Sequence, residues 1–342
     1  ILDVLCSLAK LARVYPLCYT LKNIRLSATQ PLAAGGYADI YKVPYKDQTM
    51  CIKVLRLFGD DRTQALISVR EILLWAHVSH DNVLPFYGIY LGEDVGRPCL
   101  VSPWMENGNL HEYLAHSKPD VPRALLVQDV IEGLLYLHQA GVVHGDLKAR
   151  NILISSDKRA LIADFGMSTV AMTTKRESSP GGVTGYTIRF TAPEIMKRNI
   201  KPTKMSDVWS FGCLCLEVFT GKAPFYWYKL DQCVVMALYK DEQPNQPPGG
   251  DDIFNGLDGW IPNIMEGCLK ITPKERPQCE EIRNIFAENV NQLDRSKTPA
   301  RAMDKLAFWE DMKAQSGIEP NHRRVEELMR NVSSGSSGSI FA

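Results

Sequence analysis

Three short segments indicate the fold most clearly. Residues 144–151 read HGDLKARN, residues 152–154 read ILI, and residues 164–166 read DFG. The pattern predicts one strand over residues 151–154, a turn over 155–158 and a second strand over 160–163. A hairpin brings its two ends together, so we expect Asn151 and Asp164 to lie side by side.

The polar residues around this hairpin predict a site for a cation and a phosphate. Amide and carboxylate oxygens are ligands that Mg²⁺ prefers, which suits Asn151 and Asp164. Asp146 lies close enough to accept a proton from an incoming hydroxyl, and Lys148 can reach a phosphate in transfer. Any one of these residues alone is more typical of an ordinary turn or cap than of such a site. Their order and spacing together favour the site.

These segments resemble the catalytic loop and DFG motif of protein kinases, whose usual loop is H-R-D-L-x-x-x-N. The resemblance implies that Asp146 is the catalytic base and that Asn151 and Asp164 hold the metal. Gly145 departs from the pattern, because it replaces an arginine that clamps an activation-loop phosphate. We therefore expect activity without phosphorylation of that loop.

A lysine upstream lies within an apolar run, MCIKVL at residues 50–55. Such a lysine needs a partner or loses solvation free energy, unless it lies on an edge strand and extends to solvent. By resemblance, Lys53 pairs with a glutamate on the following helix. The segment HDNV at residues 80–83 sets the alignment and selects Glu71.

The nucleotide-covering loop is the weakest part of the resemblance. Kinases show G-x-G-x-x-G-x-V, whereas residues 33–40 read AAGGYADI and keep only the middle glycine, Gly35. Ala33 and Ala38 restrict the backbone where it approaches phosphate. Without the other motifs, a plain β-turn is the better interpretation of this segment.

The resemblance also places the nucleotide between the two halves of the chain. The implied contacts are Gly35, Gly36, Ile40, Cys51, Lys53, Ser102, Pro103, Met105 and Leu153. Adenine is expected to hydrogen-bond to the backbone of Pro103 and Met105. Ser102 takes the gatekeeper position, where its small side chain leaves the back of the adenine pocket open.

Further motifs match downstream. Residues 191–194 read TAPE and resemble the end of a kinase activation segment, and residues 207–212 read DVWSFG and resemble the start of the large buried helix. Arg276 is expected to form a buried, structural ion pair with Glu194. The resemblance covers about residues 32–289.

The fold predicted is α+β: a bilobal protein-kinase fold with a small β-rich N-lobe and a larger, mostly helical C-lobe. Strand-like runs are predicted at residues 37–43, 50–55, 83–90 and 98–102, with an amphipathic helix at 62–77. Apolar residues at helical spacing follow at Val127, Val130, Ile131, Leu134 and Leu137. Further helices are expected near residues 207–220, 231–239, 261–269 and 278–289.

We divide the chain into three parts. Residues 1–28 are predicted as an N-terminal helical extension and residues 29–294 as the kinase domain, with the N-lobe at 29–104 and the C-lobe at 105–294. Residues 295–342 form a charged, partly disordered tail that offers a possible site for a regulatory partner. The chain opens on Ile1 rather than methionine, which predicts a fragment.

Composition narrows the class of protein. The 342 residues carry 39 basic and 39 acidic side chains, so charge gives no argument for a nucleic-acid or membrane partner. No apolar stretch approaches the 18 residues of a membrane span. The nine cysteines are scattered, a pattern typical of reduced thiols, so we expect a cytoplasmic protein.

Three functions compete. The first is an ATP- and Mg²⁺-dependent protein serine/threonine kinase in signal transduction, acting on protein substrates. Lys148 and Thr187 favour this class by resemblance, while residues 188–192, IRFTA, look like a tyrosine kinase and indicate the tyrosine-kinase-like group. Dual specificity is a minority option.

The second function is a small-molecule kinase of the aminoglycoside phosphotransferase type, which shares the H-G-D triplet. Glu194, the segment 207–212 and Arg276 argue against it. The third is a pseudokinase scaffold that binds nucleotide and partners without turnover, which the depleted glycine loop favours. Against it, every polar group that the chemistry needs is present: Lys53, Glu71, Asp146, Asn151 and Asp164.

Overall fold

The computed structural model describes most of the predicted kinase domain. The described residues are 20–21, 24, 31–34, 38–45, 48–55, 72–90, 99–116, 122–165, 169–170, 187–250 and 252–290. Residues 1–19 of the predicted N-terminal helical extension, the tail after residue 294, and the site residues Gly35, Gly36 and Glu71 lie outside them. Thr20–Leu21, within the predicted extension, form a strand rather than a helix.

A six-stranded sheet dominates the first third of the chain. Its strand order is β1-β5-β6-β4-β3-β2, with every neighbouring pair antiparallel except β1 and β5. The strands are β1 Thr20–Leu21, β2 Ala33–Ala34, β3 Ala38–Tyr45, β4 Gln48–Leu55, β5 Gly88–Tyr90 and β6 Cys99–Pro103.

Alternation along β4 places its two polar-face residues together. Met50, Ile52 and Val54 are buried on one face, in a cluster with residues of β3, β5 and β6. Because side chains alternate along a strand, Cys51 and Lys53 share the opposite face. β4 lies between β3 and β6, so Lys53 is not on an edge strand and the edge-strand alternative is wrong.

The predicted strand over residues 83–90 is wrong in its first half. Only Gly88–Tyr90 pairs as a strand, while Val83 forms an isolated bridge to Ile162. Residues 82–89 are all buried, so packing explains their apolar character. Pro85 lacks the N–H that a strand ladder requires.

Helices are the main elements among the described residues beyond β6. α1 includes residues 72–77. The others are α2 Leu110–His116, α3 Arg123–Gln139, α4 Pro193–Arg198, α5 Lys204–Thr220, α6 Asp231–Tyr239, α7 Trp260–Cys268 and α8 Cys279–Val290. The predicted helices near residues 207, 231, 261 and 278 are confirmed to within a few residues. The fold is the α+β arrangement predicted for a bilobal kinase.

The core of the helical part forms where the sequence pattern predicts it. All five stripe residues of α3 are buried. α5 starts with a capping box, in which Thr203 and Ser206 exchange side-chain and backbone hydrogen bonds, and it ends at Gly221 with φ 72°. Its residues from Ser206 to Leu216 are all buried, so α5 is a central element of the helical part.

Short strands complete the region between α3 and α4. They are β7 Val142–Val143, β8 Ile152–Ile154, β9 Ala160–Ile162 and β10 Thr169–Val170. β8 pairs antiparallel with β9, and Ala163 N donates to Asn151 O at 2.9 Å. The predicted hairpin is confirmed, although residues 149–151 form a 3₁₀ turn before the strand begins.

Among the described residues, no helix has the length and apolar character needed to cross a bilayer.

Candidate active site

The backbone of the catalytic loop is held by one buried carboxylate. Asp207, at the start of α5, is fully buried, and its two oxygens accept the N–H groups of His144 and Gly145 at 2.8 Å each. His144 Nε2 lies 3.0 Å from Ala163 O, which can only accept, so Nε2 carries the proton. Nδ1 then accepts from Asp146 N at 3.2 Å.

Gly145 stands at a position that demands an unusual backbone. Its φ is 82°, in the left-handed region that a side chain makes costly. The glycine therefore relieves strain in the loop as well as removing the arginine side chain of the usual motif.

Asp146 is surrounded by donors. Its Oδ2 accepts from Lys148 Nζ at 2.6 Å and from Asn151 Nδ2 at 2.9 Å, and its Oδ1 accepts from Thr187 Oγ1 at 3.0 Å. Lys148 Nζ also donates to Thr187 Oγ1 at 2.6 Å. The three side chains of Asp146, Lys148 and Thr187 thus form a closed triangle.

The residues predicted to hold a metal fit that role. Asn151 directs both amide protons at Asp146, to its backbone O at 2.8 Å and to Oδ2, which leaves the amide oxygen for a cation. Asp164 follows the hairpin at φ 65°, with its side chain 47% exposed. One amide and one carboxylate oxygen suit Mg²⁺, which takes its other ligands from water and phosphate.

Lys53 contacts one of the two residues predicted to hold the metal. Its Nζ lies 3.1 Å from Asp164 Oδ1, which joins β4 to the end of the hairpin. The predicted partner Glu71 lies outside the described residues, so that pairing stays a prediction. Phe165, the next residue along, is buried between Trp75 of α1 and His144, with ring centroids 5.9 and 5.8 Å away.

The predicted adenine side of the cleft lies where β6 leaves the sheet. Trp104 N donates to Thr49 O. Because bonded and non-bonded pairs alternate in an antiparallel ladder, the N and O of Pro103 face away from β4. A proline there removes no ladder hydrogen bond, and its carbonyl remains available to a ligand.

Two small side chains lie next to Pro103 on the predicted adenine side of the cleft. Cys51 pairs with Ser102 across the sheet, and Ser102 is buried. Burial raises the pKa of the Cys51 thiol to about 11, so it is protonated and neutral near pH 7. Ile40 and Leu153 are partly exposed and Met105 is buried.

The ion pair predicted between Glu194 and Arg276 is confirmed. Arg276 Nη1 and Nη2 contact the two carboxylate oxygens of Glu194 at 2.7 and 2.8 Å. The same guanidinium donates to backbone carbonyls at Met205, Lys270 and Ile271. The pair fixes the end of the activation segment against the start of α5.

Sequence reasoning missed part of this network. The sequence pattern marks Asp207 only as the start of a helix, yet its carboxylate holds the loop backbone. It also contacts His138 of α3, whose other ring nitrogen contacts Cys279 of α8. No local motif signals these contacts, because the three residues lie on three separate helices.

Comparison with known proteins agrees with this geometry. The sequence model of the family described as "Protein tyrosine and serine/threonine kinase" matches residues 26–286, most of the chain. The chain belongs to the protein kinase family.

Kinases of several kinds are similar to this chain in sequence. The kinase domain is 32% identical over 265 residues to the serine/threonine-protein kinase STY46 of Arabidopsis thaliana, covering 77% of this chain and 44% of the relative. It is 28% identical over 282 residues to the human receptor-interacting serine/threonine-protein kinase 1, covering 78% and 41%. It is 33% identical over 228 residues to the mouse tyrosine-protein kinase TXK, covering 64% and 40%. The chain spans less than half the length of each of these relatives.

Proposed function

We propose that this kinase domain transfers the γ-phosphoryl group of Mg-ATP to serine or threonine hydroxyls of proteins. The observation that carries the proposal is the triangle of Asp146, Lys148 and Thr187, with contacts of 2.6–3.0 Å. It supplies a base, a cation and a hydroxyl that fixes both, at the end of a cleft that also holds Lys53.

The residues divide the reaction between them. The substrate hydroxyl oxygen forms a bond to the γ-phosphorus as the bond from phosphorus to the β-bridging oxygen breaks and ADP leaves. The hydroxyl proton passes to Asp146, which the surrounding donors hold in place as a carboxylate. Lys148 stabilises charge on the phosphoryl group in transfer.

A second set of residues, separate from the catalytic loop, binds the nucleotide. Lys53 contacts the phosphates, and the backbone at Pro103 and Met105 contacts adenine, between Ile40, Cys51 and Leu153. Asn151 and Asp164 would hold Mg²⁺, which neutralises phosphate charge when bound. Gly35, Gly36 and Glu71 keep their predicted roles in this proposal.

The test is transfer of labelled γ-phosphate from Mg-ATP to a basic protein by the full chain, followed by phosphoamino-acid analysis. We expect Asp146→Asn to lower the rate by about 10²–10⁴-fold, because the general base is lost. Asp157→Asn, in the hairpin turn, is the matched control and should keep the wild-type rate. Equal rates for wild type and Asp146→Asn would contradict the proposal.

A pseudokinase scaffold is the second candidate, favoured by the segment AAGGYADI at residues 33–40. Nucleotide binding by wild type without any transfer would establish it. Phosphotyrosine among the products would support dual specificity, consistent with a relative named as a serine/threonine/tyrosine-protein kinase, HT1 of Arabidopsis thaliana. Transfer to an aminoglycoside instead of protein would support the small-molecule alternative.

The domain boundaries, the regulatory partner of the tail and the cytoplasmic location stay predictions.

A further inference from the structure

A buried chain of three side chains leads from the last described helix to the catalytic loop. Cys279 Sγ lies 3.2 Å from His138 Nδ1, and His138 Nε2 lies 2.9 Å from Asp207 Oδ2. The three residues are 4%, 5% and 0% exposed. They come from the first turn of α8, the last turn of α3 and the first turn of α5.

The protons in this chain follow from the chemistry of its ends. The Asp207 carboxylate only accepts, so His138 Nε2 carries a proton and donates it. In the neutral form of such a ring the other nitrogen, Nδ1, has a lone pair, and here Nδ1 faces the thiol. Burial, with the nearby charge of Asp207 as a smaller cause, raises the pKa of Cys279 to about 12. The thiol therefore keeps its proton and can donate it to Nδ1.

We propose that Cys279 is a positioning residue for phosphoryl transfer, whose thiol donates to His138 Nδ1 and so holds the ring in the orientation that donates to Asp207. This inference rests on the proposed function, because its kinetic consequence requires an active kinase. The link matters because Asp207 takes the N–H groups of His144 and Gly145 through the same two oxygens. Without a donor facing Nδ1, the buried ring would turn to satisfy that nitrogen and weaken its hydrogen bond to Asp207.

The position of Cys279 in the chain strengthens the argument. Arg276, three residues earlier, holds Glu194 at the end of the activation segment. One short segment at residues 276–279 therefore supports both the catalytic loop and the activation segment. Nothing in the kinase motifs quoted above requires a thiol at position 279.

The competing explanation is that Cys279 merely fills space, since it belongs to the main apolar core cluster. Two substitutions separate the explanations. Cys279→Ser keeps a proton donor at this position and loses volume, whereas Cys279→Val fills the space and loses the donor. If the donor matters, serine is the better replacement; if packing matters, valine is.

The first measurement is the tautomer and hydrogen bonding of His138, read from ¹⁵N shifts of the imidazole in the full chain, with His138→Gln used for assignment. We expect the Nε2–H form in all three chains, because Asp207 requires a donor. The Nδ1 resonance should be shielded by an accepted hydrogen bond in wild type and Cys279→Ser, and deshielded in Cys279→Val. A wild-type ring protonated at Nδ1, or an Nδ1 shift that is unchanged in Cys279→Val, would overturn the proposal.

The second measurement is the kinetics of phosphate transfer. We expect kcat of Cys279→Val to fall about fivefold, the loss typical of one hydrogen bond, with KM for ATP nearly unchanged. Cys279→Ser should lie within about twofold of wild type by the same estimate. A serine variant slower than the valine variant would show that packing is the role and overturn the proposal.

The two measurements also separate this inference from the proposed function. A wild-type chain that transfers no phosphate would overturn the proposed function, and with it the kinetic role of Cys279. The NMR result would still decide whether the thiol donates to His138 Nδ1.

Discussion

Two ion pairs of this kinase show how the same chemistry serves different ends in two regions. Arg276 and Glu194, in the helical region, have side chains that are 0% and 9% exposed. Lys53 and Asp164, across the cleft, are 20% and 47% exposed. The first pair is enclosed by protein and saturated with backbone contacts, while the second faces the space where a nucleotide would bind.

The difference in burial indicates which of the two pairs contributes to folding stability. A buried charge without its partner is costly, so Arg276 and Glu194 depend on each other for stability. An exposed pair contributes little, because water screens it. Lys53 and Asp164 can therefore turn to phosphate and a cation with a small loss of folding free energy. Asp129 and Arg159, 2% and 26% exposed, lie between these extremes.

The largest effect is expected from breaking the buried pair. Arg276→Met leaves the Glu194 carboxylate without its main partner, and the free energy of unfolding should fall by about 3–5 kcal/mol. Urea denaturation followed by tryptophan fluorescence measures this.

A double variant tests the explanation. Glu194→Leu combined with Arg276→Met leaves no buried charge and should recover about half of the loss. A double variant less stable than Arg276→Met alone would show that shape, not uncompensated charge, sets the cost.

An intermediate effect is expected at Arg159. Its guanidinium makes three contacts of 2.7–3.1 Å with the buried Asp129 and so ties α3 to the hairpin that carries Asn151 and Asp164. Arg159→Met should lower the free energy of unfolding by about 1.5–3 kcal/mol, the range for a hydrogen bond to a charged group. The same denaturation experiment measures it, with the exposed Arg198→Met as control. A loss no larger than that of the control would show that the ion pair of Asp129 and Arg159 does not stabilise the fold.

The smallest effect on stability is expected at the cleft. Lys53→Met should change the free energy of unfolding by less than about 1 kcal/mol, because its partner Asp164 is half exposed. Phosphate transfer should fall by about a hundredfold or more, since a cation aimed at the phosphates is lost.

The matched control is Lys42→Met on β3. Lys42 pairs at 3.1 Å with Glu106, and both side chains are exposed. It should alter neither stability nor transfer. A Lys53→Met chain that is as active as this control would contradict the proposed nucleotide site.

Most of the correct predictions about the fold came from local sequence patterns. The hairpin between residues 151 and 164 was predictable because turn residues separate two short apolar runs, and it alone brings Asn151 to Asp164. The stripe on α3 was predictable because each of its residues is buried by the same packing. The error at residues 83–87 arose because a buried loop is as apolar as a buried strand. Only backbone pairing, which composition does not report, distinguishes them.

The residues that hold the candidate site in place were less predictable than the residues of the site itself. Asp146, Lys148 and Asn151 lie within six residues of one another, so a motif can describe them. Asp207, His138 and Cys279 meet only through the packing of α3, α5 and α8, and each is unremarkable in its local sequence. The positive φ of Gly145 was also unforeseen, because the sequence shows a missing arginine but not a backbone that favours glycine.

The contacts of residues 276–279 also set an order of events during folding. Arg276 meets Glu194 across 82 residues, and Cys279 meets His138 across 141. Closing loops of this length costs chain entropy before any contact compensates for it, so such contacts form late. During synthesis, the catalytic loop leaves the ribosome long before Cys279 does. A nascent chain therefore holds the complete catalytic sequence without the contacts that shape it, and gains them only when the helix Cys279–Val290 docks.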